Sequence, residues 1–301
     1  MRLRVAAWQY PIERLASWDA WLAKLAAGFA DAAGRGAKVC VVPEYAAMEL
    51  TSLTQADTLA AQVDALQPLL PAYLDAYAEL ARRHDLVIVG GSFPERVGPG
   101  EVRNRARIHA DDSAIVVEKL QMTRFERERW GIACGSGQAV VDLGGARLGV
   151  AICYDAEFPL IVRGLVAAGA DIIAVPSCTD TAAGYHRVRL SCQARALENQ
   201  CYVVQAPTVG HAPWSIAVDD NVGAAGVYGP PDRGFPDDGV VALGAYSEPG
   251  WVIADLDLAA VAEVRREGQV LNHRDWHHNW HGPSGGAVDV IAVRGRFDTN
   301  A

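Results

Sequence analysis

The sequence predicts an α/β fold in which helices pack on a mixed β-sheet. Over the first 206 residues, short apolar runs typical of buried strands alternate with longer segments whose apolar residues recur at helical spacing. The chain of 301 residues is half hydrophobic and about a fifth charged, as expected for a globular protein. No linker stands out, so residues 1–270 are predicted to form one domain, followed by a tail over 271–301.

Each element is predicted from its own residues. Residues 3–9 form the first strand, and Ser17 has the short polar side chain favoured at an N-cap, so a helix follows to about residue 33. Further strands are predicted at 38–44, 86–93, 171–176, 201–206, 240–245 and 251–258, with hairpins at 102–120 and around Gly144-Gly145, whose second arm is 146–153. Further helices are predicted at 69–83, 159–168, 185–199 and 257–268.

Residues 219–239 are rich in Gly, Pro and Asp, and this composition predicts a loop. The loop could contact a partner subunit, cover a pocket, or be an insertion without function.

Two segments of the chain are similar to each other. GAKVCVVPE at 36–44 and GADIIAVPS at 169–177 share a Gly-Ala start, an apolar run and a Val-Pro pair, and each follows a predicted helix. Two related halves, each a sheet backed by helices, would stack into a layered sandwich. The alternative is that any junction from a helix to a buried strand has this pattern.

Charge and hydropathy exclude several classes of protein. The net charge of −9 argues against nucleic acid or an anionic membrane as the main partner. No apolar run reaches the roughly 18 residues needed to cross a bilayer, and the N-terminus lacks the pattern of a signal peptide. We therefore expect a cytoplasmic protein. RNRARIH at 103–109 alternates in charge and predicts the solvated face of a strand.

The six cysteines include no CxxC pair, so the spacing of a zinc ribbon is absent. In a reducing cytoplasm most of them should be free thiols that pack as small apolar groups. Cys153, within AICYDAEFP at 151–159, differs from the others because it closes an apolar run and is followed by a phenol and a carboxylate.

Three polar residues each end a predicted strand. Glu44 ends VCVVPE, Cys153 ends LGVAIC, and Lys119 ends AIVVEK and is one of three lysines in the chain. Ligands of sheet-based enzymes bind in the crevice beyond the strand ends. The three side chains could therefore converge at one site.

The chemistry of these side chains is complementary. A free thiol has a pKa of about 8.5, and a carboxylate within hydrogen-bond distance can accept its proton. A helix beginning near Phe158 or Pro159 would direct its positive end at Cys153 and favour the thiolate. An ammonium and a backbone N–H would stabilise the oxyanion formed on attack at a carbonyl. Taken singly, Glu44 could be a solvated carboxylate, Lys119 a rim lysine and Cys153 a core thiol.

With these residues, the chain resembles the nitrilase superfamily of carbon–nitrogen hydrolases over roughly residues 3–210, and more loosely to about 265. VVPEYA resembles the glutamate motif of that family, EKLQMTRFERERWGIACG its lysine motif, and GVAICYDAEFP its cysteine motif. GADIIAVPS and QARALENQCYVVQAPTVG resemble the stretches that follow. The resemblance implies a four-layer α-β-β-α sandwich of two mixed sheets and a homodimer or larger homo-oligomer.

The resemblance also implies a Glu-Lys-Cys catalytic set. Glu44 would be the general base, Lys119 the oxyanion donor and Cys153 the nucleophile, with the backbone N–H of Tyr154 as a second donor.

Many members of the family have a second glutamate after the lysine, which positions the base and the lysine. The candidates here are Glu126 and Glu128. Glu128 followed by Trp130, with Gly135 behind, fits the family register better, so Glu128 is the predicted residue. The alternative for either glutamate is the solvated face of a charged run.

Tyr45, Trp130 and Trp214 are candidates to line an apolar substrate pocket, although each could be ordinary packing. The Tyr154-Asp155 pair is similar to the amidase and carbamoylase branches. Glu157 stands where many amidase-like members have an arginine, so a preference for acidic substrates is in doubt if this position faces the pocket.

The sequence therefore predicts a thiol-dependent hydrolase of a non-peptide C–N bond in a small amide. It would act through a thioester on cysteine, release ammonia or an amine and a carboxylic acid, and need no cofactor. Hydrolysis of an N-carbamoyl compound or of a nitrile by the same cysteine is the alternative within the family.

Two other classes of function remain as alternatives. His273, His277 and His281 are four residues apart, so on a helix they would form one stripe, and such histidines can bind zinc. We favour a tail that packs its tryptophans on a neighbouring subunit, and predict no metal site. A non-catalytic binding module is the other alternative, and the presence of all three catalytic residue types argues against it.

Overall fold

The computed structural model describes residues 1–110 and 113–276. The strands β1 to β15 are, in chain order, Arg2–Pro11, Val39–Val41, Val87–Val89, Phe93–Gly98, Glu101–Ala110, Ser113–Glu118, Ile132–Ala133, Val140–Asp142, Arg147–Val150, Ile172–Ser177, Tyr202–His211, Asp220–Asn221, Gly226–Tyr228, Val240–Leu243 and Gly250–Asp257. The helices α1 to α7 are Trp18–Gly34, Leu59–Leu66, Leu70–His84, Pro159–Ala167, Ala182–Asn199, Leu258–Glu267 and Asn272–Asp275.

The strands form two sheets. In sheet I, β1, β2 and β3 are parallel, β15 pairs antiparallel with β1, and β5 pairs antiparallel with β3, β4 and β6. In sheet II, β9, β10 and β11 are parallel, β8 and β13 pair antiparallel at either side, and β14 follows β13. Parallel pairing of Tyr10 with Thr208 and Pro11 with Val209 connects the sheets at one end of β1.

The alternation of side chains along β1 reveals the layers. Val5 and Ala7 are buried in the core that β1 shares with the strands of sheet II. Ala6, Trp8 and Tyr10 are buried against α1 and α3 instead. Since successive residues of a strand point to opposite faces, sheet I lies between sheet II and this helical layer.

Helices α4 and α5 pack against sheet II and complete the other outer layer. Their apolar residues belong to the same buried cluster as the strands of that sheet. A Cβ built on Gly149 of β9 would lie 3.2 Å from Leu165 of α4, so this helix lies close to the sheet. The order helix, sheet, sheet, helix is the predicted α-β-β-α sandwich.

Most elements lie where their local patterns predict them. Ser17 caps α1 by accepting a hydrogen bond from the N–H of Ala20 at 3.1 Å, as its position predicts. The prediction missed α2 and a 3₁₀ helix at Ala46–Leu53, and its strand at 86–93 covers β3 but only the first residue of β4.

The loop predicted for 219–239 is wrong in part, because it contains β12 and β13. Strand β13 pairs with β11 inside sheet II, and it is buried. A Cβ on Gly226 would lie 2.2 Å from the Tyr228 hydroxyl, so this glycine allows close packing in a strand and does not mark a turn.

The tail predicted over 271–301 is described only as far as Trp276. The guanidinium of Arg163 on α4 lies 5.0 Å from the centre of the Trp276 ring. His273 lies in α7, whereas His277 and His281 lie outside the described residues. Within residues 1–110 and 113–276, no three potential metal ligands are grouped.

None of the helices within those two ranges is long and apolar enough to cross a membrane.

Candidate active site

A cavity of about 550 Å³ lies where strands of both sheets end, and Glu44, Lys119 and Cys153 all line it. Glu44 follows β2 and Lys119 follows β6, both in sheet I, whereas Cys153 follows β9 of sheet II. Each side chain is almost completely buried. The structure thus brings together the three residues that the strand ends predict.

Lys119 lies between two carboxylates. Its Nζ donates to Glu44 Oε1 at 2.7 Å and to Glu126 Oε2 at 2.6 Å. Asn104 Nδ2 donates to the same Glu44 oxygen at 2.9 Å, and the Asn104 carbonyl accepts from the Lys119 N–H at 3.0 Å. The backbone pairing of Lys119 with β5 therefore helps to fix both the ammonium and the carboxylate.

Cys153 adopts a strained backbone conformation. It begins a short 3₁₀ helix, Cys153–Glu157, with a φ of +48°. Tyr45, which directly follows Glu44, has a φ of +55° and donates its N–H to Ser92 Oγ at 2.9 Å. Positive φ is uncommon for residues other than glycine, and such strain concentrates at functional sites.

The backbone N–H of Tyr154, predicted as the second oxyanion donor, lies in the first turn of the 3₁₀ helix that begins at Cys153. The first hydrogen bond of the 3₁₀ helix runs from the Asp155 N–H to the Ile152 carbonyl at 3.0 Å. The N–H of Tyr154 comes one position earlier, where a helix supplies no acceptor of its own. Tyr154 also lines the cavity beside Cys153.

The Lys119–Glu126 pair is charged. Burial alone would raise the pKa of Glu126, but the Lys119 charge and hydrogen bonds from Lys119, Tyr45 and Thr123 outweigh burial and lower it. Burial alone would lower the pKa of Lys119, but the charges of Glu126 and Glu44 raise it well above its usual value.

Unlike that of Glu126, the pKa values of the two acidic groups Glu44 and Cys153 are raised. Burial raises the pKa of Glu44 to about 7, and the Glu126 charge adds to this effect, against the lowering by Lys119 and the Cys153 thiol. Burial, and then the negative charge of Glu44, raise the pKa of Cys153 well above its usual value. Burial and the Glu44 charge thus favour the thiol form of Cys153, whereas the α4 N-terminus was expected to favour the thiolate.

The second glutamate of the site is Glu126, and the placement predicted for Glu128 is wrong. Glu126 accepts from the N–H and the hydroxyl of Thr123, each at 2.8 Å, in addition to Lys119. Glu128 lies half-exposed at the surface, where Arg124 Nε donates to it at 2.8 Å.

The spacing within this segment could have identified the correct glutamate. Residues 126–130 form a single helical turn. Met122, Glu126 and Trp130 recur every four residues and are buried, whereas Arg124 and Glu128, offset by two, face solvent. Residues four apart share a helix face, so the apolar neighbours predict that position 126 points inward.

Two of the three aromatic candidates line the cavity. The Tyr45 hydroxyl donates to Glu126 Oε1 at 2.6 Å, and its ring centre lies 4.6 Å from that of Trp130. Trp214 does not line the cavity, so its prediction is wrong. Its ring packs under Arg14 at 5.0 Å, and its carbonyl accepts from Gln62, which holds it in a neighbouring depression.

Asn104 is a site residue that the sequence reasoning missed. RNRARIH at 103–109 was predicted to be a solvated face, and its arginines do pair with Glu95 and Glu118. Side chains alternate along a strand, so Asn104 lies on the opposite face and is completely buried. The strand period is the signal that could have found it.

Position 157 faces the cavity. This is the condition under which the sequence puts a preference for acidic substrates in doubt. Glu157 lines it with 18% of its side chain exposed, and Arg187 Nε lies 3.5 Å away. Asp180, Asp219 and Asp220 also line the wall.

Comparisons with known proteins identify relatives of this chain. A family model described as carbon-nitrogen hydrolase matches residues 4–266. The probable hydrolase YhcX of Bacillus subtilis is 31% identical over 275 residues, which is 91% of this chain and 53% of the relative, so the chain spans about half the length of that relative. Human deaminated glutathione amidase is 28% identical over 258 residues, or 81% of this chain and 74% of the relative.

Among solved structures, Nit3 of Saccharomyces cerevisiae, a member of branch 10 of the nitrilase superfamily, has a similar fold. The TM-score is 0.69 at 22% identity, and the match covers 88% of this chain and 93% of that chain. This similarity confirms the predicted nitrilase-like sandwich.

Proposed function

Because the chain belongs to the carbon–nitrogen hydrolase family, we propose that it hydrolyses the non-peptide C–N bond of a small amide. The observation that carries the proposal is the meeting of Cys153, Glu44 and Lys119 in one cavity. There, burial raises the pKa of the Glu44 carboxylate to about 7 and raises the pKa of the Cys153 thiol well above its usual value. A general base is most effective when its pKa lies near the working pH.

In the first half of the reaction, Glu44 accepts the thiol proton of Cys153 as the sulfur attacks the carbonyl carbon. The carbonyl oxygen becomes an anion, which the Lys119 ammonium and the Tyr154 N–H stabilise. The C–N bond then breaks, the proton on Glu44 passes to the leaving nitrogen, and a thioester remains on Cys153.

In the second half, Glu44 takes a proton from a water molecule, and the resulting hydroxyl attacks the thioester carbon. The C–S bond breaks, the proton returns to the sulfur, and the carboxylic acid leaves. Glu126 keeps its charge throughout, because the charge of Lys119, together with hydrogen bonds, holds its pKa low against the effect of burial. Its role is to hold Lys119 and to keep Glu44 ready to bind a proton.

Matched cysteine variants test this mechanism. Cys153→Ser should fold and lose nearly all amide turnover, whereas Cys134→Ser, which changes an exposed thiol, should retain it. Intact-mass measurement during turnover should detect an acyl adduct in the Cys134→Ser protein and none in Cys153→Ser. Turnover by Cys153→Ser within a few-fold of the wild type would show the mechanism to be wrong.

A substrate panel distinguishes the amide from its alternatives within the family. Simple amides, N-carbamoyl compounds and nitriles should be compared by ammonia release, and we expect amides to be the best substrates. Neutral and carboxylate-bearing amides of equal length should be included, because Glu157 on the cavity wall lies beside Arg187 and the comparison tests whether this wall accepts a second negative charge.

We further propose that the chain acts in the cytoplasm without a cofactor and forms a homodimer or larger homo-oligomer. A single domain over 1–270 with a tail that packs on the partner also stays a prediction. Light scattering of the full chain, and of a chain ending at residue 276, tests both the assembly and the part the tail plays in it.

A further inference from the structure

Asp155 is a buried carboxylate beside the site, and no step of the proposed reaction uses it. It lies two residues after Cys153, in the same 3₁₀ helix, and only 1% of it is exposed. It does not line the cavity, so it cannot act on a substrate directly.

The two carboxylate oxygens of Asp155 bind the backbone that follows Lys119. Oδ1 accepts from the Gln121 N–H at 2.7 Å, and the Leu120 N–H lies 3.0 Å from Oδ2 and 3.2 Å from Oδ1. These two N–H groups belong to the two residues directly after the lysine. The nucleophile turn and the lysine segment are thus joined by hydrogen bonds to a single side chain.

The carboxylate that makes these contacts is charged near neutral pH. Burial raises the pKa of Asp155 to about 6, against the lowering by the hydrogen bonds from Leu120 and Gln121 and by the Lys119 charge. Hydrogen bonds to an ionised acceptor are about twice as strong as those between neutral groups.

The contact matters because the site is divided between the two sheets. Lys119 extends from β6 of sheet I, where its backbone also binds Asn104 and Gly135, whereas Cys153 extends from β9 of sheet II. A small shift of one sheet against the other would move the sulfur away from the ammonium. Asp155 spans this boundary within two residues of the nucleophile.

We infer that Asp155 is a positioning residue that fixes the Cys153 turn against the Lys119 segment, so that the sulfur and the ammonium reach the same carbonyl group. The inference rests on the proposed function. Misplacement by about 1 Å can cost on the order of 10²-fold in rate. A neutral side chain at this position should therefore weaken catalysis more than binding.

Asp155→Asn tests the inference. Asparagine keeps the shape of the side chain, but its NH₂ group would face one of the backbone N–H donors. We expect kcat for a small amide to fall about 10- to 100-fold while KM stays within about threefold. Glu49→Gln is the matched control, since Glu49 is a fully buried carboxylate that binds Lys24 and does not line the cavity; it should leave kcat within about twofold even if it lowers stability.

Alkylation of Cys153 by iodoacetamide separates positioning from general damage. This displacement forms no oxyanion and draws on the thiolate that is in equilibrium with the thiol, so it needs neither Lys119 nor Glu44 at a set distance from the sulfur. We expect the alkylation rate of Asp155→Asn to stay within about threefold of the wild type while amide turnover falls.

Equal losses of alkylation and turnover, or a wild-type kcat in Asp155→Asn, would overturn the positioning role. A wild-type chain with no Cys153-dependent amide turnover would instead refute the proposed function, and the inference with it.

Discussion

At the scale of single residues, the protonation of the site follows from one ammonium between two carboxylates. Lys119 can neutralise only one of them. Glu126 also accepts hydrogen bonds from Tyr45 and Thr123, whereas fewer donors reach Glu44. The negative charge therefore settles on Glu126, and Glu44 is the carboxylate that gains and loses a proton near neutral pH.

This argument predicts unequal effects for two glutamates that are two residues apart. In Glu126→Gln, Glu44 becomes the counter-ion of Lys119 and loses the repulsion from Glu126 that adds to the effect of burial on its pKa, so it becomes a weaker base. We expect kcat to fall on the order of 100-fold. Glu128→Gln removes a surface ion pair and should stay within about twofold in steady-state kinetics. Equal losses in both variants would contradict the assignment.

The raised pKa of Glu44 also predicts a pH profile. Glu44 can accept the thiol proton only when it is ionised. Because its pKa is about 7, it is mostly protonated at any lower pH. The kcat/KM for a neutral amide should therefore fall about tenfold per pH unit below pH 7. A profile that stayed flat down to pH 5 would show that the base titrates like an ordinary surface glutamate.

At the scale of elements, four helices that lead into a buried strand end in the same way. Gly36, Asp85, Gly169 and Gln200 follow α1, α3, α4 and α5, and each has a positive φ. At each junction, the N–H of the positive-φ residue donates to the carbonyl three residues earlier, and the N–H of the following residue donates to the carbonyl five residues earlier. This pattern is a Schellman motif.

The shared motif explains the similarity between 36–44 and 169–177 without a relation between two halves. Glycine is favoured after the helix because the motif needs a positive φ, and the apolar run follows because the next strand is buried. The α3 and α5 junctions adopt the same conformation with aspartate and glutamine at that position. The motif therefore does not require the Gly-Ala pair that the two segments share.

Close packing between elements predicts opposite effects for two glycines of α1. A Cβ on Gly28 would lie 2.3 Å from Cη2 of Trp8, whereas a Cβ on Gly34 would meet no atom within 4 Å. Gly28→Ala should lower the free energy of unfolding by about 1–3 kcal/mol because α1 must move off the sheet. Gly34→Ala should leave it equal or raise it by up to about 1 kcal/mol.

Urea unfolding of both variants measures this difference. A Gly28→Ala protein as stable as Gly34→Ala would mean that the ring of Trp8 can move aside at little cost.

At the scale of the whole molecule, the two sheets share one core, and the site forms across their boundary. Residues of β1 and β2 are buried in the same cluster as residues of β9, β10 and β11. The base and the ammonium therefore meet the nucleophile only when both sheets are packed together.

The shared core predicts that both sheets unfold together. Ile173→Ala in β10 removes a fully buried side chain from sheet II and should cost about 2–5 kcal/mol. Tryptophan fluorescence reports largely on sheet I, where Trp8 and Trp251 stack with ring centres 4.5 Å apart. We expect the fluorescence and far-UV circular dichroism transitions to shift together.

The control is Leu243→Ala at an exposed position of β14, which should change stability by less than about 0.5 kcal/mol. A fluorescence midpoint that stayed at the wild-type value in Ile173→Ala would show two units that unfold independently.

The sequence alone determined the features that depend on neighbours along the chain. The strands and most helices follow from apolar periodicity and capping residues, as Ser17 before α1 illustrates. Glu44, Lys119 and Cys153 stood out because each closes an apolar run, and the ends of buried strands meet at one edge of a fold.

Only the tertiary structure decided which other side chains reach that edge. Spacing along the chain can indicate that Glu126 and Asn104 point inward, but it does not show that they meet Lys119 and Glu44, or that Arg14 and Gln62 hold Trp214 away from the cavity. These partners come from separate segments that meet only in the folded chain, and local periodicity carries no record of which partner a side chain meets.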